Sequence, residues 1–323
     1  MKNLITILMG EPESINTEII AKSYKKLNPT LKKRILIVGS FKLFQKQLNV
    51  LKIKLGINEI KSINSKLDQK KLNIYNVNLK FNNPFKINKL NNKKYQKKCI
   101  EIVNSLSVND TIKGFINCSI DKKKLFNKNL IGLTEFLSKK NNVYGSEIMM
   151  IFNKKISVVP LTTHMRLKNI FKKISKENIV KKVSNLNNNY KKLFGFKPKI
   201  AILGINPHND EYRKNSEEVK YIIPAIKYLS SKNLSVFGPY STDTAFNNYN
   251  LKKFDVIFGM YHDQVLTPFK ALFNLDAINI TLGLPFIRIS PDHGTGKDII
   301  KKNKADPTSL LKCINFLSNI TLK

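Results

Sequence analysis

Four histidines in a chain of 323 residues stand in short polar motifs: Thr162-Thr163-His164, Asn206-Pro207-His208, Tyr261-His262-Asp263 and Asp292-His293-Gly294. Each follows an apolar run that reads as a strand. Neutral imidazoles bind Zn, Co and similar ions, and three of them on one ion leave a coordination position open for a substrate. Taken singly, such a histidine is more often structural or solvent-facing, so the chemistry rests on the recurrence at separate strand ends. The stretch from Gly259 to Asp298 also carries Lys270 and Arg288, and Arg288 is one of only four arginines among 57 basic residues. A guanidinium at the end of a buried apolar strand is costly unless it is paired. Its partner is either a ligand carboxylate or phosphate, which planar donors bind bidentately, or a nearby Asp. Asp243, in Ser241-Thr242-Asp243-Thr244, and Asp263 are candidate carboxylate partners for the histidines, with a helix N-cap as the alternative role.

These residues need a scaffold that brings strand ends together, and the apolar pattern supplies one. Apolar runs at 3–9, 34–38, 112–117, 199–204, 254–260 and 277–282 predict buried strands, another strand ends at Val236-Phe237-Gly238-Pro239, and 147–152 with 156–161 read as a hairpin. Helices are predicted after the first strand to about Leu27, after the second from Gly39-Ser40, over 93–106, from about 132, over 166–174 and 177–193, over 211–230 and over 307–320. Residues 61–95, polar and rich in Asn and Lys, predict an irregular excursion with one strand near 74–79. Strands alternating with helices imply an α/β fold with a largely parallel sheet covered on both faces. The carboxyl ends of such strands are where ligands bind.

Composition narrows the function classes. A hydrophobic content of 42% suffices for a core, and the formal net charge of +35 raises nucleic acid as a partner. Yet all but four of the basic residues are lysines spread through every predicted element, and no zinc finger, RNP signature or helix-turn-helix is present. A solvated lysine-rich surface is therefore expected, and no nucleic-acid partner. Cys99, Cys118 and Cys313 are far apart, which excludes a disulfide framework or thiolate zinc site and fits a reducing compartment. The apolar run at the N-terminus is short and meets Glu11 at once, and no run reaches the roughly 18 apolar residues of a membrane span, so a soluble cytoplasmic protein is expected.

Gly204-Ile205-Asn206-Pro207-His208, Gly238-Pro239-Tyr240-Ser241-Thr242-Asp243-Thr244, Met260-Tyr261-His262-Asp263-Gln264 and the run Asn279 to Arg288 followed by Asp292-His293-Gly294-Thr295 together resemble the 4-hydroxythreonine-4-phosphate dehydrogenase (PdxA) family of pyridoxal phosphate biosynthesis. With Thr162-Thr163-His164 and Thr134-Glu135-Phe136 the resemblance spans nearly the full length. It implies a two-lobed α/β/α sandwich like that of the isocitrate and isopropylmalate dehydrogenases, with a first lobe from 1–135 plus about 280–323. The second lobe, 136–279, would hold the metal-ligand motifs and the dimer interface, and the active site would lie in the cleft between lobes. It further implies a homodimer whose sites take residues from both subunits, and one divalent metal (Zn, Mg or Co) on His164, His208 and His262. Substrate contacts would come from Lys270, Asn279, Arg288 and Thr134, with Leu133 at the position of the family's histidine. Lys270 and Asp243 are the implied catalytic residues. NAD or NADP would bind at a turn made by His293, Gly294, Thr295, Gly296 and Asp298. This superfamily does not use G-x-G-x-x-G, and the chain has none after a strand.

The implied reaction is oxidation of 4-phosphooxy-L-threonine to 2-amino-3-oxo-4-phosphooxybutanoate, which decarboxylates to 3-amino-2-oxopropyl phosphate. A related phosphorylated hydroxy acid is the alternative substrate. The chain departs from the family pattern in places. Leu133 replaces a histidine, Glu11-Pro12-Glu13-Ser14-Ile15-Asn16-Thr17-Glu18 stands for Asp-Pro-x-Gly-Ile-Gly-Pro-Glu, and Ser119-Ile120-Asp121-Lys122 for Pro-Ile-Asn-Lys. Two other classes fit parts of the sequence. A metal hydrolase would share the histidines but want a carboxylate base as in H-E-x-x-H, which is missing, and a basic nucleic-acid-binding protein would leave the histidine motifs idle.

Overall fold

Buried parallel strands read as unbroken apolar runs because helices cover both of their faces, and this is how the chain is built. The structure is a computed structural model that describes residues 4–126 and 132–320. The first residue of the strand expected at 3–9 and the last three of the expected first lobe lie outside them. The chain divides into two compact units, Met1–Lys140 with Pro285–Ile320, and Asn141–Leu284.

In chain order the first unit contains β1 (Ile5–Leu8), α1 (Asn16–Lys26), α2 (Pro29–Lys32), β2 (Ile35–Gly39), α3 (Phe41–Val50), β3 (Ile57–Ile60), β4 (Leu72–Asn76), α4 (Lys89–Val108), β5 (Gly114–Asn117), α5 (Lys122–Leu125) and α6 (Leu133–Lys140). The second contains β6 (Ile148–Phe152), β7 (Ser157–Thr162), α7 (Lys176–Phe194), β8 (Ile200–Leu203), α8 (Ile223–Ser231), β9 (Val236–Tyr240), α9 (Thr242–Ala245), α10 (Asn248–Lys253), β10 (Val256–Tyr261), α11 (His262–Phe273) and β11 (Ile278–Leu282). The chain then re-enters the first unit with β12 (Ile287–Pro291) and α12 (Thr308–Asn319).

Within the first unit the strand order is β3-β4-β2-β1-β5-β12, and every pairing is parallel. Within the second it is β11-β6-β7-β10-β8-β9, with β6 antiparallel to both neighbours, so the expected hairpin is present. β1, β2, β5 and β7 are buried along their whole length. Arg288 pairs with Phe115 because β12 lies very close to β5 at its start. A Cβ on Gly114, whose φ is +150°, would fall 1.9 Å from the Ile287 carbonyl oxygen, so only glycine permits this approach.

Four expectations are corrected. β3 was not foreseen, because Asn58 and Glu59 break its apolar pattern on an edge strand that needs only one buried face. The basic stretch 166–174 forms two 3-10 turns, Leu167–Asn169 and Phe171–Lys173, since its buried residues Ile170 and Ile174 do not extend into a helical face. The helix expected over 211–230 starts only with a π turn at Glu218–Ile222 that leads into α8. Pro224 has no N–H to continue the ladder, and the wider turn accommodates it. Arg288 is not at the end of the strand over 277–282: the chain turns at Gly283, and Arg288 is the second residue of a new strand.

Candidate functional site

β7 and β10 are parallel neighbours, with Thr162 opposite Tyr261, so the residues just past them emerge side by side. The result is that the rings of His164 and His262 have centroids 6.0 Å apart, tilted by 37°. Two imidazoles on one tetrahedral ion with bonds of about 2.1 Å have centroids roughly 5 Å apart, so this pair suits a shared ion in both donor chemistry and spacing. His262 opens α11, and its Nδ1 is 2.7 Å from Asp263 Oδ1. With that nitrogen donating to the carboxylate, Nε2 carries the lone pair, the arrangement that raises the basicity of a ligand imidazole.

His208 follows β8, on the other side of β10, and lies on a left-handed turn. His208, Asn209, Asp210, Glu211 and Tyr212 all have φ between 48° and 57°. Non-glycine residues adopt this at roughly 1 to 2 kcal/mol each, a cost that recurs at functional sites. His208 is solvent-exposed, with Nδ1 4.0 Å from Asp243 Oδ2. Among the described residues no group of three or more His, Cys, Asp or Glu side chains is gathered tightly enough to hold a metal. The single chain thus brings His164 and His262 together and sets His208 beside Asp243.

One residue that the sequence reading quoted without a role ties these loops together. Gln264, buried on α11, accepts from Met260 N at 2.6 Å and donates to the Gly204 carbonyl at 2.6 Å and to Thr242 Oγ1 at 2.8 Å. It therefore fixes the start of α11, and with it His262, to the end of β8 and the start of α9. Farther along α11, Lys270 is exposed. Asn279 lies on β11 opposite Ile151, and its buried Oδ1 has no hydrogen-bond partner among the described residues, an acceptor available to a ligand donor.

In the first unit Arg288 is 6% exposed, and its Nη1 donates to Thr134 Oγ1 at 3.3 Å. Burial pulls its pKa down to about 10, while the Glu135 carboxylate acts in the opposite direction. Glu135 is thus a carboxylate that supports its charge, where the sequence reading weighed a nearby Asp against a ligand anion. Leu133, beside them at the start of α6, is 2% exposed.

The turn expected to hold a nicotinamide cofactor sits past the end of β12, next to the loops that follow β1 and β5. His293 Nδ1 is 2.9 Å from the Gly294 carbonyl, and its buried Nε2 has no hydrogen-bond partner among the described residues. Ile15 N donates to the Thr295 carbonyl at 3.1 Å, Gly296 lies against Ile15, and Lys297 Nζ reaches Asp121 Oδ2 at 2.8 Å. Asp298 is exposed. The loop after β1 is itself pinned by Glu11, whose buried carboxylate accepts from Asn92 Nδ2 at 2.8 Å and Gln96 Nε2 at 2.9 Å. Asn16 Nδ2 donates to the Ser119 carbonyl and Ser119 Oγ to Asn16 Oδ1, each at 2.8 Å. Two of the departures from the family pattern are therefore hydrogen-bond partners of each other.

Comparison with known proteins adds to this geometry. A family model described as pyridoxal phosphate biosynthetic protein PdxA matches residues 31–317. The 4-hydroxythreonine-4-phosphate dehydrogenase of Sulfurihydrogenibium sp. is 39% identical over 97% of this chain and 96% of its own length, and that of Aquifex aeolicus is 34% identical over 99% of each. Among solved structures, the enzyme of the same name from Klebsiella pneumoniae superposes with a TM-score of 0.85 at 25% identity, covering 97% of this chain and 98% of that one. A terephthalate 1,2-cis-dihydrodiol dehydrogenase from Burkholderia xenovorans shares the fold, with a TM-score of 0.63 at 18% identity over 98% of this chain and 97% of that one.

Proposed function

Because the chain belongs to the pyridoxal phosphate biosynthetic protein PdxA family, we propose that it oxidises 4-phosphooxy-L-threonine with NAD or NADP. The secondary alcohol is oxidised to a ketone, giving 2-amino-3-oxo-4-phosphooxybutanoate and a released proton, and a bound nicotinamide would supply the hydride acceptor. This β-keto acid loses CO2 and takes up a proton to give 3-amino-2-oxopropyl phosphate. His164, His208 and His262 would hold one divalent ion, Zn, Mg or Co, which would supply a Lewis acid for the substrate alcohol. Asp263 orients His262 through its 2.7 Å contact with Nδ1, and Asp243, 4.0 Å from His208 Nδ1, places a negative charge beside that imidazole. Arg288, presented by β12, and Thr134 receive one anionic end of the substrate, Lys270 receives the other, and the Asn279 carbonyl oxygen accepts from a substrate donor. The turn from His293 to Asp298 takes the nicotinamide cofactor.

The observation that carries this reading is the pairing of His164 with His262 at adjacent strand ends, rings 6.0 Å apart, in motifs shared with the family. We also propose a homodimer whose sites draw on both subunits. It is supported by the exposed Leu167 and Phe171, which follow His164 closely and present apolar surface to a partner. The described residues contain no helix long and apolar enough to cross a membrane.

The test is metal content. Each of His164→Ala, His208→Ala and His262→Ala is expected to lose most of its bound divalent ion and its turnover together. Metal content and activity at wild-type level in any one of them removes that residue from the ligand set. Since ligand imidazoles must be unprotonated and a free histidine titrates near about 6.5, bound metal is also expected to fall in mildly acidic buffer.

A further inference from the structure

We propose that Lys122 is a second cationic contact for the anionic end of the substrate that Arg288 and Thr134 receive, with Glu135 as the internal counter-ion that it leaves when that anion arrives. This rests on the reading above for the identity of the substrate, but the subsite is argued from its own geometry.

Three consecutive lysines begin α5, and their surroundings separate them. Asp121 caps the helix, its Oδ1 accepting from Lys123 N at 3.1 Å and Lys124 N at 3.3 Å, while its Oδ2 is taken by Lys297 at 2.8 Å. Lys124 turns to the loop after β1, with Nζ 2.5 Å from Glu13 Oε2 and 3.8 Å from Glu11 Oε1. Lys122 runs elsewhere, along Gly132 to Glu135. A Cβ built on Gly132 would lie 3.1 Å from Glu135 Oε2 and 3.6 Å from Lys122 Cε, so the lysine stem and the carboxylate flank the same glycine. Glu135 follows Thr134, whose hydroxyl holds Arg288.

Two cations thus share one carboxylate. Lys122 is exposed as a residue, yet crowding around its side chain is the largest cause that lowers its pKa, Glu135 acts against it, and Arg288 adds a like-charge repulsion. Arg288 is likewise lowered first by its burial and supported by Glu135. The cluster keeps a net positive charge, with Arg288 buried and Lys122 and Glu135 reaching solvent. A phosphate, with up to two negative charges, complements that surplus better than the single carboxylate does. Glu135 is partly exposed and can turn to water when the anion enters.

The experiment measures equilibrium binding of inorganic phosphate to the full chain by calorimetry, together with kcat and KM for 4-phosphooxy-L-threonine, in wild type, Lys122→Gln, Lys122→Arg, Glu135→Gln and Arg288→Lys. Loss of one charge-assisted contact weakens binding by about 10- to 150-fold. Lys122→Gln is expected to weaken phosphate and raise KM within that range with little change in kcat, Lys122→Arg to stay within about 3-fold of wild type, and Glu135→Gln to tighten phosphate. Phosphate binding and KM unchanged in Lys122→Gln, while Arg288→Lys loses both, overturns the proposal and leaves the proposed reaction standing. Phosphate binding that depends on Lys122 in a protein that does not oxidise 4-phosphooxy-L-threonine supports the subsite and removes the substrate assignment instead. If Lys122→Gln does not fold, Lys122→Arg and Glu135→Gln decide: phosphate affinity unmoved by Glu135→Gln overturns the counter-ion role.

Discussion

Replacing Arg288 with methionine separates two roles that a buried guanidinium can have. If it is a structural ion pair with Glu135, its removal strands a carboxylate and costs about 3 to 5 kcal/mol of stability. If it is kept for a ligand, the ligand-free protein carries it at a cost. That cost follows from its pKa, lowered by burial from the ordinary arginine value to about 10. A base whose folded pKa lies below its unfolded one is disfavoured in its charged form by folding. At neutral pH Arg288 is charged in both states, so the penalty is fully present, and it is relieved only above about pH 10. At about 1.4 kcal/mol per pH unit the penalty is at most about 3 kcal/mol. That value already includes the attraction of the partly exposed Glu135, and the hydrogen bond to Thr134, worth about 1 kcal/mol, stands against what remains. Arg288→Met is therefore expected to leave the ligand-free protein between unchanged and about 2 kcal/mol more stable in urea unfolding. Its catalytic efficiency is expected to fall by about 10- to 150-fold, and added phosphate is expected to protect wild type but not the variant. Destabilisation of about 3 kcal/mol or more with efficiency within about 3-fold of wild type would refute the ligand role.

Three further substitutions have defined outcomes. Lys182, largely buried with Nζ donating to the Leu161 carbonyl at 2.7 Å, has its pKa lowered by burial from 10.5 to about 8. Between those two values the unfolded chain binds more protons, so stability is expected to rise with pH across that window by up to about 3 kcal/mol. The rise is expected to vanish in Lys182→Met when the two are compared by denaturant unfolding. Gly114→Ala forces a Cβ to 1.9 Å from the Ile287 carbonyl at a φ of +150°. It is expected to cost on the order of 3 kcal/mol or more and to raise KM, because the β5–β12 register seats Arg288; wild-type stability and KM would show that the register is not needed. Leu133→His buries an imidazole at a 2% exposed position, so it is expected to lose about 1 to 3 kcal/mol of stability while lowering KM for 4-phosphooxy-L-threonine. An unchanged KM would mark Leu133 as part of a changed pocket.

The strands that lead to His164, His208 and His262 were legible because, covered on both faces, they must be apolar throughout, and the motifs at their ends could be read directly; β12, which carries Arg288, was not. Strand β3 was not, since an edge strand with Asn58 and Glu59 lacks that pattern. The turns over 167–173 look helical in composition, but Leu167 and Phe171 face solvent, so burial does not favour one helical face. At the site, the histidines and Arg288 announced themselves by rarity and setting. Gln264 did not, because an uncharged amide shows its function only through what surrounds it: hydrogen bonds to β10, to the end of β8 and to the start of α9. The pairing of Asn16 with Ser119 was equally hidden. The two residues are 103 positions apart, and each looks like an isolated departure until the fold brings β1 and β5 side by side.

The most direct test of the proposed reaction follows absorbance of the reduced cofactor when the full chain is given 4-phosphooxy-L-threonine, NAD or NADP, and Zn, Mg or Co. Reduced cofactor and CO2 are expected to form in equal amounts, to stop on addition of chelator, and to form at least about 10-fold less efficiently from unphosphorylated 4-hydroxythreonine. No cofactor reduction with any of these metals and either nucleotide, or undiminished turnover in excess chelator, would contradict the assignment.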